Sequence, residues 1–319
     1  MPAAVQSAAD PTPLSRRLVA ARFITIMKLL HRSAGPAFRS ETQLSDFEWR
    51  VMTQVGDHGP LVLTALAALL NQDKGQVSHA VKALVAAKLL SREHLRAPIA
   101  LTKSGRAMFE RIVRLGRARN AVLGRELSDA ERRALPQLLA KLHANAGSLL
   151  SQAQATKLSD ETAAPARASP RKLTGGDSRL IAQDLFMVHN VLQRSAAIAF
   201  RQATGLSDFE WRVLVQVGER APLTLIQLVP LLSRDKSQVG RTLTRLEERG
   251  LITREKIGGG RHILVGISER GREVYAQLTE LSLERNTALI AGLSSRDQQV
   301  LTSILDKLET GAAALLTKR

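Results

Sequence analysis

The 319-residue chain contains no cysteine. That excludes disulfides, thiolate catalysis, thiol redox sensing and any zinc site with cysteine ligands. Aromatic residues are scarce, at 3%. Leu, Val, Ile and Ala must therefore do the packing, and a hydrophobic content of 44% is enough for cores of ordinary size. Acidic side chains are in deficit, 29 against 46 basic ones, giving a formal +17 and a pI near 11.1. Such a surface favours a polyanion as partner. No apolar run approaches the roughly 20 residues of a membrane span, and no lipid anchor or cationic amphipathic terminus is seen, so no membrane partner is expected. Met1-Pro2-Ala3-Ala4-Val5 lacks the charged and apolar regions of a secretory signal, which makes the cytoplasm the expected compartment. The chain also lacks a nucleophile–base set, a Gly-rich strand-to-helix turn, a carboxylate pair and histidines at ligand spacing. No enzyme, cofactor or metal site is expected.

What the chain does contain, it contains twice. Leu44-Ser45-Asp46-Phe47-Glu48-Trp49-Arg50-Val51 returns letter for letter as Leu206-Ser207-Asp208-Phe209-Glu210-Trp211-Arg212-Val213, an offset of 162. The same offset aligns Asp73-Lys74-Gly75-Gln76-Val77 with Asp235-Lys236-Ser237-Gln238-Val239, and Arg32-Ser33-Ala34 with Arg194-Ser195-Ala196. A constant register over some seventy positions reads as one domain duplicated in tandem. The expected organisation is a first domain over 1–150, a linker rich in Ala, Ser, Thr and Pro over 151–176, and a second domain over 177–319. Residues 1–160 carry a net +11 and residues 161–319 a net +6. Both tryptophans lie in the repeat, as buried aromatic anchors or as ligand-stacking rings.

Along each copy the periodicities follow one order. A first helix runs from Leu18 to about Arg39, and from Leu180 to Arg201. Ser45-x-x-Glu48 and Ser207-x-x-Glu210 are capping boxes that open a second helix. Gly56 with Pro60, and Gly218 with Pro222, are expected to end it. Short helices over Thr64–Leu70 and Leu225–Leu232, a tight turn, and longer helices over Asp73–Lys88 and Asp235–Arg249 fit a helix-turn-helix. Gly250 suits the position just past the second of these, where the first copy has Lys88. Residues 251–267 read as a β-hairpin around Gly258-Gly259-Gly260, which joins two strands and is no phosphate cradle. The first hairpin, 89–101, contains Pro98 and is four residues shorter, since Thr102 matches Ser268 at an offset of 166. Long helices near 103–125 and 269–291 follow, then last helices capped at Ser128 and Ser294. The fold class is mainly α with small β-hairpins: tandem winged helix-turn-helix domains with flanking dimerisation-type helices.

Phe209-Glu210-Trp211-Arg212-Val213-Leu214, Asp235-Lys236-Ser237-Gln238-Val239, Leu246-Glu247-Glu248-Arg249-Gly250-Leu251-Ile252-Thr253-Arg254 and Ile267-Ser268-Glu269-Arg270-Gly271 resemble the MarR family of bacterial transcriptional regulators. The resemblance extends over nearly the whole of both copies. It implies a winged-helix fold, double-stranded DNA as partner, and usually repression relieved by a small molecule. It further implies homodimers built through the first and last helices. Here both protomers share one polypeptide, an intramolecular pseudo-dimer, and the first wing is cut short.

Helix geometry points to DNA without the family. At about 100° per residue Val239, Leu243 and Leu246 share one face, while Ser237, Arg241, Thr244 and Arg245 fall near the opposite one. Arg can bind guanine through two hydrogen bonds, and Lys236, Ser237 and Gln238 can reach base edges or phosphates. Lys256 and Arg261 lie on the wing, where minor-groove or phosphate contacts are expected. In the first copy Val77, Val81 and Leu84 form the inner stripe. Lys74, Gln76, His79 and Lys82 are the outward candidates, with Gly75 and Ala83 at the positions of Ser237 and Arg245. Arg96, Arg106, Arg111 and Arg114 suit phosphates. An anionic or aromatic effector is expected near Trp49, Arg50, Trp211 and Arg212. His31 and His189 are either plain surface histidines or part of its cavity. Competing readings are a protein-interaction module that kept the winged helix, and a nonspecific DNA-binding protein.

Overall fold

The computed structural model describes residues 14–70, 72–158, 180–232, 235–257 and 262–317. It is mainly helical, with two small antiparallel sheets. The chain opens with α1 (Leu14–Arg17), α2 (Val19–Thr42), α3 (Asp46–His58), α4 (Leu63–Leu70) and α5 (Lys74–Ala86). It continues through β1 (Leu90–Ser91), β2 (Ala100–Leu101), α6 (Lys103–Leu123) and α7 (Asp129–Leu158). The same order then recurs: α8 (Ile181–Thr204), α9 (Asp208–Arg220), β3 (Leu223–Thr224), α10 (Leu225–Leu232), α11 (Lys236–Glu248), β4 (Ile252–Ile257), β5 (His262–Ile267), α12 (Glu269–Leu289) and α13 (Ser295–Thr317). Among the described residues no helix is long and apolar enough to cross a membrane.

The helix starts follow from short-range chemistry. Ser45 accepts from the Glu48 amide at 3.3 Å while Glu48 accepts from the Ser45 amide at 2.8 Å, and Ser207 with Glu210 repeats the box at 3.4 and 2.8 Å. Each box satisfies two amides that no helical carbonyl can reach. Asp73 and Asp235 cap α5 and α11 through the Gln76 and Gln238 amides at 2.9 and 2.8 Å. Lys88 sits at φ +60° where Gly250 has φ +69°, so the first copy makes the same left-handed exit with a residue less suited to it.

The second helices end just short of Pro60 and Pro222, as expected, but the glycines take no part in the stop. Gly56 and Gly218 are inside α3 and α9, which run on to His58 and Arg220. A Cβ at Gly56 would lie 2.2 Å from the Phe109 ring, and one at Gly218 2.5 Å from the Tyr275 ring. These glycines let an aromatic ring of α6 or α12 press against helix backbone, a packing role rather than a stop signal. Similarly, α7 continues through 151–158, which composition assigns to the linker, because Gln152-Ala153-Gln154-Ala155 carries helix formers with Ala153 buried. Residues 159–176 lie outside the described residues.

One compact unit consists of Arg22–Pro136, the described part of Thr174–Phe186, and Gln299–Arg319 up to Thr317. Its core gathers Phe38, Val51, Met52 and Val55 with Leu66, Val77, Val81, Leu84, Leu90 and Ile99. The wing is two residue pairs long, Leu90 with Leu101 and Ser91 with Ala100, extended by a bridge between Leu61 and Ile99. Within this unit α13 meets earlier parts of the chain. Arg22 donates from Nη2 to Asp306 at 2.5 Å and from Nη1 to the Thr302 carbonyl at 3.2 Å. Lys307 and Ser303 donate to Glu131 at 2.7 Å each.

The other unit consists of the described residues of 1–21, 137–158 and Met187–Gln298. Its core gathers Phe200, Trp211, Val213, Leu214 and Val217 with Leu228, Val239, Leu243, Leu246 and Val265. The wing has six residue pairs between β4 and β5, and β3 adds a third strand on the far side of β5. Here too distant segments meet: the Val19 amide donates to Asn286 at 2.8 Å, and Asn145 donates to the Leu289 and Ala291 carbonyls at 2.8 and 2.9 Å.

Candidate nucleic-acid interface

In the second unit α11 is a helix with two unlike faces. Val239, Thr242, Leu243 and Leu246 are buried, whereas Lys236, Ser237, Arg241, Thr244 and Arg245 are exposed and Gln238 is partly so. The α11 N-terminus is capped by the Asp235 carboxylate, which accepts from the Gln238 amide, and Lys236 follows as the first helical residue. A cation there opposes the helix dipole.

The structure distinguishes within this set. Thr244 is exposed, yet its hydroxyl bonds the Gly240 carbonyl at 3.2 Å and lies 3.3 Å from Arg254 Nη2. Arg254 on β4 also donates to Glu247 of α11 through Nε at 2.7 Å and through Nη2. Thr244 therefore sits in a bridge between wing and helix, which leaves Ser237, Arg241 and Arg245 as the outward group. Arg254 was not singled out from sequence, since its partner lies on another element. Lys256 is exposed on β4. Arg261 lies outside the described residues.

The first unit presents a poorer face. Lys74, Gln76, His79 and Lys82 are exposed on α5 as expected, with exposed Gly75 and half-buried Ala83 beside them. The short wing ends in a tight tip: the Ala97 amide bonds the His94 carbonyl at 2.9 Å, the Arg96 amide lies 3.3 Å from His94 Nδ1, and Arg92 donates to the Leu95 carbonyl. Arg96 is exposed at this tip, as is Leu95, at 78%.

After each wing the chain must turn back into a helix. Thr102 and Ser268 cap α6 and α12 through the Gly105 and Gly271 amides, each at 2.9 Å. A Cβ at either glycine would lie 1.9 Å from a carbonyl oxygen, that of Leu89 or Leu251. These two glycines clamp the base of each wing, and only glycine fits.

The second candidate group lies beside the repeated tryptophans. Trp211 is 8% exposed and meets Phe200 edge to face, with centroids 4.7 Å apart, while Trp49 stacks on Phe38 at 4.3 Å. Among the described residues neither indole nitrogen, Trp49 Nε1 or Trp211 Nε1, finds a hydrogen-bond partner. Arg212 is held by Asp208, Nε to Oδ2 at 3.1 Å, and donates to Gln193. Arg50 makes no hydrogen bond or ion pair among the described residues and lies over the Phe47 ring at 5.9 Å. Removal from water lowers its pKa, with Asp46 opposing. His31 stands where the second copy has Gln193 and meets the Phe186 ring edge-on at 6.4 Å. His31 has an exposed edge, yet partial removal from water, then the Arg50 charge, lower its pKa, with Asp46 opposing. His189 is half-buried. Among the described residues no group of three or more His, Asp or Glu is placed to hold a metal.

Residues 206–259, from the start of α9 into the second wing, match the MarR family model. The chain carries a MarR family domain. Solved structures similar to it include a MarR/EmrR family transcriptional regulator from Acinetobacter sp. ADP1, 24% identical over 40% of this chain and 91% of that one, TM-score 0.35. A probable transcriptional regulator from Pseudomonas aeruginosa is 32% identical over 39% of this chain and 94% of that one, TM-score 0.33. A protein from Listeria monocytogenes, assigned to the MarR family regulators and crystallised with 26mer DNA, is 22% identical over 43% of this chain and 91% of that one, TM-score 0.38.

Proposed function

We propose that this protein is a sequence-specific DNA-binding transcriptional regulator, a repressor, acting as a single-chain pseudo-dimer on an asymmetric site. The observation that carries the reading is the outward face of α11 in the MarR family domain: Ser237, Arg241 and Arg245 are exposed together opposite a fully buried stripe, on a chain of net charge +17. Two arginines one turn apart match the spacing at which a helix lying in a major groove reads neighbouring base pairs.

Pairing of the two halves within one chain is supported by contacts between residues far apart in sequence, Arg22 with Asp306 and Glu131 with Lys307. Asymmetry is supported by α5, where His79 and Ala83 stand at the positions of Arg241 and Arg245, and by a wing of two residue pairs against six. The first half would then hold DNA through phosphates, by Lys74, Lys82 and Arg96, and the second would read bases. A small anionic or aromatic effector near Arg50 and Trp49 is supported by the Arg50 guanidinium, which makes no hydrogen bond or ion pair among the described residues.

Selection of bound duplex from a random pool tests the reading. One strongly specified half-site beside a weakly specified one is expected. Retention of random duplex without enrichment would favour the nonspecific DNA-binding reading, and absence of duplex binding would favour the protein-interaction module.

A further inference from the structure

We infer that the helices joining the two halves are built for pairing unlike halves and against pairing like halves, so that the chain closes on itself and refuses a second copy. This rests on the pseudo-dimer reading above and adds a rule of partner choice to it.

The first determinant is a charge pair. Arg22 is only 6% exposed, and its guanidinium meets the Asp306 carboxylate at 2.5 Å. By the repeat register the counterpart of Arg22 is Asp184, and the counterpart of Asp306 is Ala140. Two first halves from different chains would set Arg22 against Ala140, leaving a buried guanidinium without its counter-charge. Two second halves would set Asp184 against Asp306, one carboxylate facing another. Only unlike halves bring opposite charges together.

The second determinant is steric and independent of the first. Asn145 in one half corresponds to Gly311 in the other. Gly311 packs so closely on the end of α6 that a Cβ would lie 2.2 Å from the Leu123 carbonyl oxygen. Two first halves would bring Asn145 to that spot, where there is no room for it. Asn145 itself donates to the Leu289 and Ala291 carbonyls at 2.8 and 2.9 Å. Two second halves would put Gly311 there and leave those carbonyls without their donor. One further ion pair does not discriminate: Glu131–Lys307 is answered by Asp297–Lys141 at 3.8 Å, with the same charges in the same positions. Lock and clash together bar both kinds of like pairing. A regulator closed in this way keeps its two unlike DNA-reading faces together.

The test uses the full chain. D306R sets one arginine against another inside the chain and makes Asp184 of a second chain attractive, so the molar mass should move from 34.7 kDa toward twice that value. R22D/D306R restores opposite charges and should return it to one chain. A D306R protein with wild-type mass and melting temperature would overturn the proposal. If D306R unfolds instead, recovery in the double variant supports it and continued unfolding overturns it. The underlying reading has a separate check, since the chain has no native cysteine. R22C/D306C treated with a short bismaleimide should give a one-chain product on a denaturing gel. A two-chain product, or none, would overturn intrachain pairing itself whatever the charge variants do.

Discussion

Arg254 of β4 holds Glu247 of α11 through two guanidinium nitrogens, one at 2.7 Å. The wing is thus tied to the helix that carries Arg241 and Arg245. A charge-assisted bond of this kind contributes about 1.5–3 kcal/mol when well formed, less at a partly solvated site. We expect Arg254→Ala to keep the fold and melt within a few degrees of the parent, while DNA binding weakens about fivefold or more. Amide exchange over β4 and β5 should quicken in the same variant. Unchanged exchange and unchanged binding would show that the wing needs no tether.

The two recognition helices should respond differently to substitution. A bidentate arginine–guanine contact contributes about 1–3 kcal/mol of discrimination. Arg241→Ala should accordingly flatten preference at one position of the strong half-site by about five- to 150-fold. His79→Ala should alter preference little. Arg96→Gln should weaken all sequences alike and lower the slope of log affinity against log salt by about one. Equal sensitivity of a palindromic site to the α5 and α11 variants would contradict an asymmetric reader.

Much of this was legible in the sequence because it depends on near neighbours. Ser45 with Glu48 and Asp73 with the Gln76 amide are three residues apart, so caps, helix order and the outward face of α11 follow from spacing alone. What escaped involves partners far away. Gly56 looked like a stop because the ring that fills its place, Phe109, belongs to α6. Spacing puts Thr244 on the outward face, but Arg254, which donates to its hydroxyl, sits on a strand. Leu61 pairs with Ile99 and Leu223 with Val265, so the short stretch before α4 or α10 adds to a sheet whose other strands lie beyond the recognition helix. Arg22 and Asp306 stand 284 residues apart, and no local pattern links them.

Acid should reveal the Glu131 lock. Hydrogen bonds from Lys307 first, then from the Ser128 backbone, hold its carboxyl down to about 2, against the ordinary 4.5. A depressed carboxylate adds stability that is fully present above the unfolded-state value and is lost as pH falls through the folded one. Its contribution should be constant near neutrality and fade between about pH 4.5 and pH 2. Glu131→Gln should cost about 1–3 kcal/mol at pH 7. The gap between variant and parent should close as pH falls through that window, as followed by urea unfolding at a series of pH values. A gap independent of pH would mean that the carboxylate charge is not what stabilises the joint.

The equivalent arginines beside the tryptophans should not bind anions equally. Arg212 already has Asp208 at 3.1 Å and Gln193, so an incoming carboxylate must displace a carboxylate. Arg50 has neither contact among the described residues, and His31 stands at the position of Gln193. An anion there gains a half-buried cation without breaking an ion pair, and surroundings poor in water strengthen that attraction. Protonation of His31 adds a second positive charge. Its pKa is lowered from the ordinary 6.5 by partial removal from water and by the Arg50 charge. A bound anion opposes that shift, and affinity for it should therefore rise as pH falls below about 6.5. Titration with benzoate, read by fluorescence, would locate the response. Trp211→Phe, which leaves Trp49 as the reporter, should retain the quenching, and Trp49→Phe should lose it. Arg50→Met should abolish the response while Arg212→Met spares it. Quenching carried by Trp211, or lost equally in both arginine variants, would move the effector site away from Arg50.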